Sequence, residues 1–266
     1  MRFYKILWGV IVLPTILFAQ RAEWVKKYNG SGDYRDCGYG IAVDKAGYIY
    51  VVGQGYGKDT KCDFTTIKYA PNGQVVWIRK YNGAENNYDR PYAITVDDSG
   101  NVYVTGRDWG NESTFENIVT IKYDSDGNTL WTATYDGDAN DYDCPYAIAV
   151  DKNFNVYVVG ESWGGEDTWE DIVTIKYDKH GKTVWVERYN GLDNDLDYPT
   201  SLVVDDNFNV YVTGLSYSLD TDEDMVTIKY TQQEELKKYQ EHQKVLEEAQ
   251  KPKKTFWGRL FGSREE

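Results

Sequence analysis

A tryptophan returns through this chain at a nearly fixed interval. Trp24, Trp77, Trp131 and Trp185 are separated by 53, 54 and 54 residues. Asp44, Asp97, Asp151 and Asp205 keep the same steps, as do Lys68, Lys122 and Lys176, with Lys229 one residue early. A chain that repeats itself at this period folds as copies of one supersecondary unit. Each copy is too small to bury its apolar surface alone and is covered by its neighbours.

Each unit reads as four short strands rich in Val, Ile, Thr and Tyr. The Trp strand reads WVKKY, WIRKY, WTATY and WVERY; the next IAVD, ITVD, IAVD and LVVD; the third IYVVG, VYVTG, VYVVG and VYVTG; the last TTIKY and then VTIKY three times. The chain's 24 Tyr and 9 Trp suit this assignment, because stiff aromatic rings pack well on a pleated surface. Two of the four connections are tight turns. DKAGY, DDSGN, DKNFN and DDNFN join the second strand to the third, and APNGQ, DSDGN and DKHGK join the fourth to the next Trp strand. In these turns Asp bonds its own backbone, and Gly or Asn takes positive φ. The other two connections are long, as in YNGAENNYDRPYA and RDWGNESTFEN. Alternate connections of an antiparallel meander lie at opposite ends of the sheet, so both long loops fall on one face.

The expected fold is therefore all-β: a β-propeller of four four-stranded blades over residues 23–230. A leader occupies residues 1–22 and a charged helical tail residues 231–266. The pattern D-x-x-Y-A-I-A-V-D-x-x-G-N-V-Y-V-T-G … T-I-K-Y-D-x-x-G-N-x-x-W resembles the bacterial β-propeller repeat abbreviated SBBP. The resemblance runs from about Trp24 to Tyr230 and implies the fold, with no common catalytic residues. The chain opens on a lone Trp strand, 24–28, and its last unit lacks one. The N-terminal strand is thus expected to complete the last blade and cover two strand edges. A monomeric closed ring is the favoured reading, with an open arc pairing with a second chain as its alternative.

Net charge is −14, which repels phosphate backbones and excludes nucleic acid as a partner. Only His180 and His242 are present, and His180 lies in a turn, so most histidine relays and most His-based metal sites are excluded. No nucleophile–His pairing, phosphate-cradling Gly loop or Cys/His metal spacing is found. Met1 to Lys5 carries two positive charges, Ile6 to Phe18 is apolar, and Ala19 and Ala22 offer small residues at a cleavage point. This is the pattern of a secretory signal peptide and places the protein in the periplasm or outside the cell. Export would permit a disulfide, and Cys37–Cys62 is the preferred pairing over one involving Cys144. Membrane contact is confined to the tail, where Phe256, Trp257, Leu260 and Phe261 form a short basic-aromatic end.

Several residue sets recur in step. The Trp ring reads as blade packing. The fourth-strand lysines Lys68, Lys122, Lys176 and Lys229 read as exposed edge charges. Tyr56, Trp109, Trp163 and Tyr217 each follow a strand-ending glycine by three residues and open the second long loop. Aromatic faces there would stack on a sugar or grip an apolar ligand; the alternative is that they prop their own loops. Asp36, Asp89, Asp143 and Asp197 approach the axis from the long-loop face. Four carboxylates would suit a hard cation such as Ca²⁺, although a structural role, each Asp bonding a loop amide, is favoured. No cofactor beyond such an ion is expected.

These features point to an exported, non-enzymatic binding or interaction scaffold that presents its long-loop face to a protein partner or polysaccharide. The alternatives are a propeller glycan hydrolase or lyase using carboxylates such as Asp143 or Glu161, and a structural envelope component. An enzyme breaks repeat symmetry at its catalytic residues, and these repeats look alike.

Overall fold

The computed structural model describes residues 21–32, 34–110, 115–165 and 168–250. Most of the expected leader and the basic-aromatic end at 251–266 lie outside them. No helix among the described residues is long and apolar enough to cross a membrane.

The repeats fold as four antiparallel meanders. The first sheet holds β1 (Cys37–Val43), β2 (Ile49–Tyr56), β3 (Cys62–Tyr69) and β4 (Val75–Tyr81) in that order. The second holds β5 (Arg90–Val96), β6 (Val102–Trp109), β7 (Glu116–Tyr123) and β8 (Thr129–Tyr135). The third holds β9 (Asp143–Val150), β10 (Val156–Trp163), β11 (Glu170–Tyr177) and β12 (Thr183–Tyr189). The fourth has three strands, β13 (Asp197–Val204), β14 (Val210–Ser218) and β15 (Asp222–Tyr230). Each first strand touches the first strand of the next sheet, β1 to β5 to β9 to β13. The sheets are thus propeller blades, with the IAVD strands innermost and the Trp strands at the outer edge.

Blade-to-blade packing explains why the strands are apolar on both sides. Tyr50, Val52, Phe64 and Trp77 of the first blade share a buried cluster with Val102, Val104, Val119, Ile121 and Tyr123 of the second. Each Trp reaches forward. Trp77 Nε1 donates to the Ser125 carbonyl at 3.1 Å, and its ring lies 6.2 Å from Tyr123; Trp131 Nε1 likewise donates to Lys179, beside Tyr177.

Three of the four recurring strand lysines are not exposed edge charges. Lys68, Lys122 and Lys176 are buried, because each ammonium lies over the core tyrosine of its own blade, Tyr50, Tyr103 or Tyr157. Lys229 alone is exposed. The three cysteines are free. Cys37 lies on β1 and Cys62 on β3, with β2 between them. Two strand spacings of about 4.8 Å each exceed disulfide reach.

The first tight turns are built as expected. Asp44 Oδ1 accepts from the Ala46 and Tyr48 amides at 2.9 Å each, and Gly47 takes φ +83°. In the third and fourth blades the positive-φ position is filled by Phe154 and Phe208, not by the flanking asparagines. Phe208 is fully buried, its ring 5.3 Å from Tyr239 of α1 (Gln233–Gln250). Packing under the helix offsets the strain of a bulky left-handed residue. Lys176 and Asn155 both bond Glu235, which ties the helix start to the tight-turn end of the third blade.

Residues 24–28 form no strand pairing with β15. They lie instead on the first blade. Trp24 Nε1 donates to the Pro71 carbonyl at 3.1 Å and its ring sits 6.0 Å from Tyr69, as Trp77 meets Ser125 and Tyr123.

Candidate functional site

The four recurring aspartates are loop latches. Asp36 accepts from the Gly30 amide at 2.6 Å and the Tyr56 amide at 2.9 Å. Asp89 accepts from Gly83 at 2.5 Å and Trp109 at 3.1 Å. Asp143 and Asp197 accept from Gly137 and Gly191, at 2.7 and 2.6 Å. In those two blades the aromatic amides of Trp163 and Tyr217 go to the carbonyls of Tyr142 and Leu196. Each latch needs its glycine, since a Cβ at Gly83 or Gly137 would lie 2.9 Å from the carboxylate. Burial pushes Asp89 and Asp143 up to about 6 despite these amide bonds, and Asp197 also rises through burial. No group of three or more His, Cys, Asp or Glu side chains with metal-holding geometry occurs among the described residues.

The aromatic set Tyr56, Trp109, Trp163 and Tyr217 ends the second strands, half-buried. Tyr56 packs on Tyr34 with centroids 4.7 Å apart, and Trp163 meets Trp169 edge-on at 5.6 Å. The latches hold the amides of Tyr56 and Trp109, and the Trp163 ring packs on its own loop while Tyr56 packs on the loop before β1.

A different set faces the axis. Each innermost strand carries a β-bulge, and the extra residues are Tyr39, Tyr92, Tyr146 and Thr200. A bulge re-aims the side chain at its extra residue. It also presses a carbonyl onto the second strand, so a Cβ at Gly53, Gly106, Gly160 or Gly214 would strike the carbonyl of Cys37, Arg90, Cys144 or Tyr198. The strand-ending glycine and the bulge are therefore one device. The three tyrosines form a row, with centroids 6.3 Å apart from Tyr39 to Tyr92 and again from Tyr92 to Tyr146.

The residue after each of these glycines supports the row, and here the repeats diverge: Gln54, Arg107, Glu161 and Leu215. Tyr39 donates to Gln54 at 3.0 Å and Tyr146 to Glu161 at 2.9 Å. The Arg107 guanidinium lies 5.9 Å from the Tyr92 centroid, pairs with Glu116, and donates to the Tyr142 hydroxyl at 2.9 Å. Burial raises Glu161 to about 7, against the lowering effect of hydrogen bonds from Tyr146 and Tyr142 and of the Arg107 charge. Burial likewise raises Cys144 to about 11, so its thiol stays protonated and inert near neutral pH. The arrangement can offer ring edges and faces, tethered hydroxyls and one cation to a polar, sugar-like chain. The sequence signal for this site is the residue after each strand-ending glycine, the position at which charge changes from repeat to repeat.

Four segments, residues 23–59, 76–111, 133–166 and 184–219, match the β-propeller repeat family SBBP. An uncharacterized WD repeat-containing protein of Acanthamoeba polyphaga mimivirus is 30% identical over 110 residues, covering 35% of this chain and 8% of that protein. Among solved structures, a Dyadobacter fermentans protein of unknown function aligns over 71% of this chain and 59% of its own, with 11% identity and a TM-score of 0.47. An endo-arabinase from Bacteroides thetaiotaomicron aligns over 72% and 74%, with 12% identity and a TM-score of 0.41. The chain thus spans less than two thirds of the mimivirus and Dyadobacter proteins.

Proposed function

The chain belongs to the β-propeller repeat family SBBP, and from that premise we propose that it is an exported, non-enzymatic binding scaffold whose ligand is a polysaccharide. The observation that carries this reading is the row Tyr39–Tyr92–Tyr146, aimed by three bulges and backed by Gln54, Arg107 and Glu161. A repeat that only had to stack would keep one residue at the supporting position. This chain keeps the tyrosine in three blades and varies its partner, which suits a ligand whose polar groups differ along its length. Aromatic rings give contact area at small entropic cost, and tethered hydroxyls give direction. The charged leader followed by an apolar run supports export.

A glycan array followed by calorimetry tests the reading. Tyr92→Ala is expected to abolish binding of any glycan the wild type retains, and the Trp109→Ala, Trp163→Ala double variant to keep it. Undiminished binding by Tyr92→Ala overturns the tyrosine row as the site, and retention of no glycan by the wild type overturns the ligand class.

One observation favours the hydrolase alternative. Glu161, raised to about 7, is held partly protonated at neutral pH, as a general acid requires. Asp143, its partner in that reading, is committed to the Gly137 amide. Release of reducing ends from a bound glycan, lost in Glu161→Gln, would establish the enzyme.

A further inference from the structure

The two ends of the blade row carry the two unmatched halves of one interface. Along β3, β7 and β11, alternate residues face the following blade. Phe64, Ile118 and Ile172 hold the same place, and all are buried, at 1%, 0% and 0% exposure. Phe64 and Ile118 close on Gly106 and Gly160 of the next blade, where a Cβ would strike them. The fourth-blade equivalent is Met225, and it is 87% exposed. Thr227 and Lys229, on the same face of β15, are exposed as well, whereas Val226, Ile228 and Tyr230 on the other face are half-buried against the third blade. Val203 of β13 points the same way as Met225 and is 60% exposed.

The opposite half lies on the first blade. Ile41 and Val43 face where a preceding blade would stand and are 69% and 59% exposed, while their equivalents Ile94, Val96, Ile148 and Val150 are half-buried. Ile41, with Ile49, Val51, Gly53 and Ile67, lines an apolar groove of about 280 Å³. At Gly53, the counterpart of Gly106 and Gly160, the atoms nearest an added Cβ belong to Cys37 and Gly38 of its own blade. Residues 24–28 cover the outer margin of this groove, in the place that β4 takes over the second blade. At that junction the Ser125 carbonyl accepts from both Trp77 and Lys68. On the first blade the equivalent Pro71 carbonyl holds Trp24, and its lysine counterpart is Lys229, which stands at the far end of the row.

We propose that the occupant of each face is a second copy of this chain, joined head to tail. The fourth blade of one copy seats Met225 against Gly53 of the other, and Lys229 reaches the Pro71 carbonyl. Residues 24–28 then add to β15 as the missing fourth strand, in the register by which Trp77 stands opposite Lys68. Repeating the same contact once more closes two chains into an eight-bladed ring, a blade number that propellers adopt. The argument is continuity: three junctions within the chain already use this interface, and the exposed faces are its two complementary halves. A contact between unlike faces closes a ring when its rotation permits, and strand addition removes two open sheet edges.

Sedimentation velocity on the full chain, with Met225→Glu and Ile41→Glu, tests the proposal. The wild type should sediment at twice the mass of one chain and each variant at the mass of one. Both substituted residues are exposed within the chain, so circular dichroism should match the wild type. An equimolar mixture of the two variants should reach two-chain mass at a lower concentration than either variant alone, because one of its two junctions pairs intact faces. A single-chain wild type overturns the proposal, as closure of the ring within one chain would produce. Two-chain mass in both variants also overturns it, as does a mixture that reaches two-chain mass no sooner than either variant alone.

Discussion

Replacing Asp89 separates a latch from a metal ligand. Its carboxylate is fully buried and accepts two backbone amides, Gly83 on one long loop and Trp109 on the other. Asp89→Ala leaves both N–H groups without an acceptor. Each buried orphan costs about 1–3 kcal/mol, so the expected loss is about 2–6 kcal/mol, tempered by any water that enters the space. At about 3 kcal/mol the melting temperature of a chain this size falls by roughly 6–12 °C. Asp89→Asn keeps one acceptor but turns an NH₂ toward the second amide, and should lose about half as much. Asp36→Ala, the half-buried version of the same latch, should lose less because water reaches its amides. Differential scanning calorimetry reads all three, with and without EDTA. The latch account expects the wild-type transition to be indifferent to EDTA and calcium. A melting temperature unmoved in Asp89→Ala, or an EDTA effect on the wild type as large as the substitution, would refute it.

Two further outcomes follow from the packing and the buried acids. Trp77→Ala removes a buried indole that bonds Ser125 and touches both Tyr50 and Tyr123; it should cost about 3–5 kcal/mol in urea unfolding, and a midpoint equal to wild type would contradict the blade-packing role. Asp89 and Asp143, at about 6, and Glu161, at about 7, are raised by burial above the 3.8 and 4.5 of free carboxyls. The native state therefore binds more protons than the unfolded chain between about pH 4 and 7, and stability contributed by these groups falls as pH rises through that window. The urea midpoint should be higher at about pH 5 than at about pH 8, with Glu161→Gln flattening the upper part of the slope; the reverse order would count against the buried-acid account.

Most of the architecture was legible because it is written four times. The interval between tryptophans set the blade, the alternation of tight and long connections set the two ends, and the lone Trp segment showed that sheets are completed by the following repeat. Lys68, Lys122 and Lys176 misled because a charge at a strand end normally signals solvent; each instead lies over the tyrosine directly across from it in its own blade. Cys37 and Cys62 begin two strands of one blade, but lateral position within a sheet decides reach, and β2 separates them. Phe154 and Phe208 stand where Gly47 and Gly100 supply positive φ. A left-handed phenylalanine is not predictable from turn chemistry, since what holds Phe208 is a helix some thirty residues further on.

In the sequence the site is sought in what recurs, whereas the structure adds a set that does not recur. Residues kept identical in every blade serve the blade, and the aspartates, with the amides they accept, bear that out as latches. Function in a repeat array resides where geometry recurs and chemistry does not. The bulge satisfies the first condition, because Gly53, Gly106, Gly160 and Gly214 all make room for it. The position after the glycine satisfies the second, because it runs through Gln54, Arg107, Glu161 and Leu215. A strictly structural position would show one residue type, as the lysines and latch aspartates do. A drifting position would not place each polar group on the ring or hydroxyl of its own blade's bulged tyrosine. Constancy of frame with variation of charge would give a scaffold a direction along its ligand, and it is the reason the proposed polysaccharide site is placed at the inner edge of the blades.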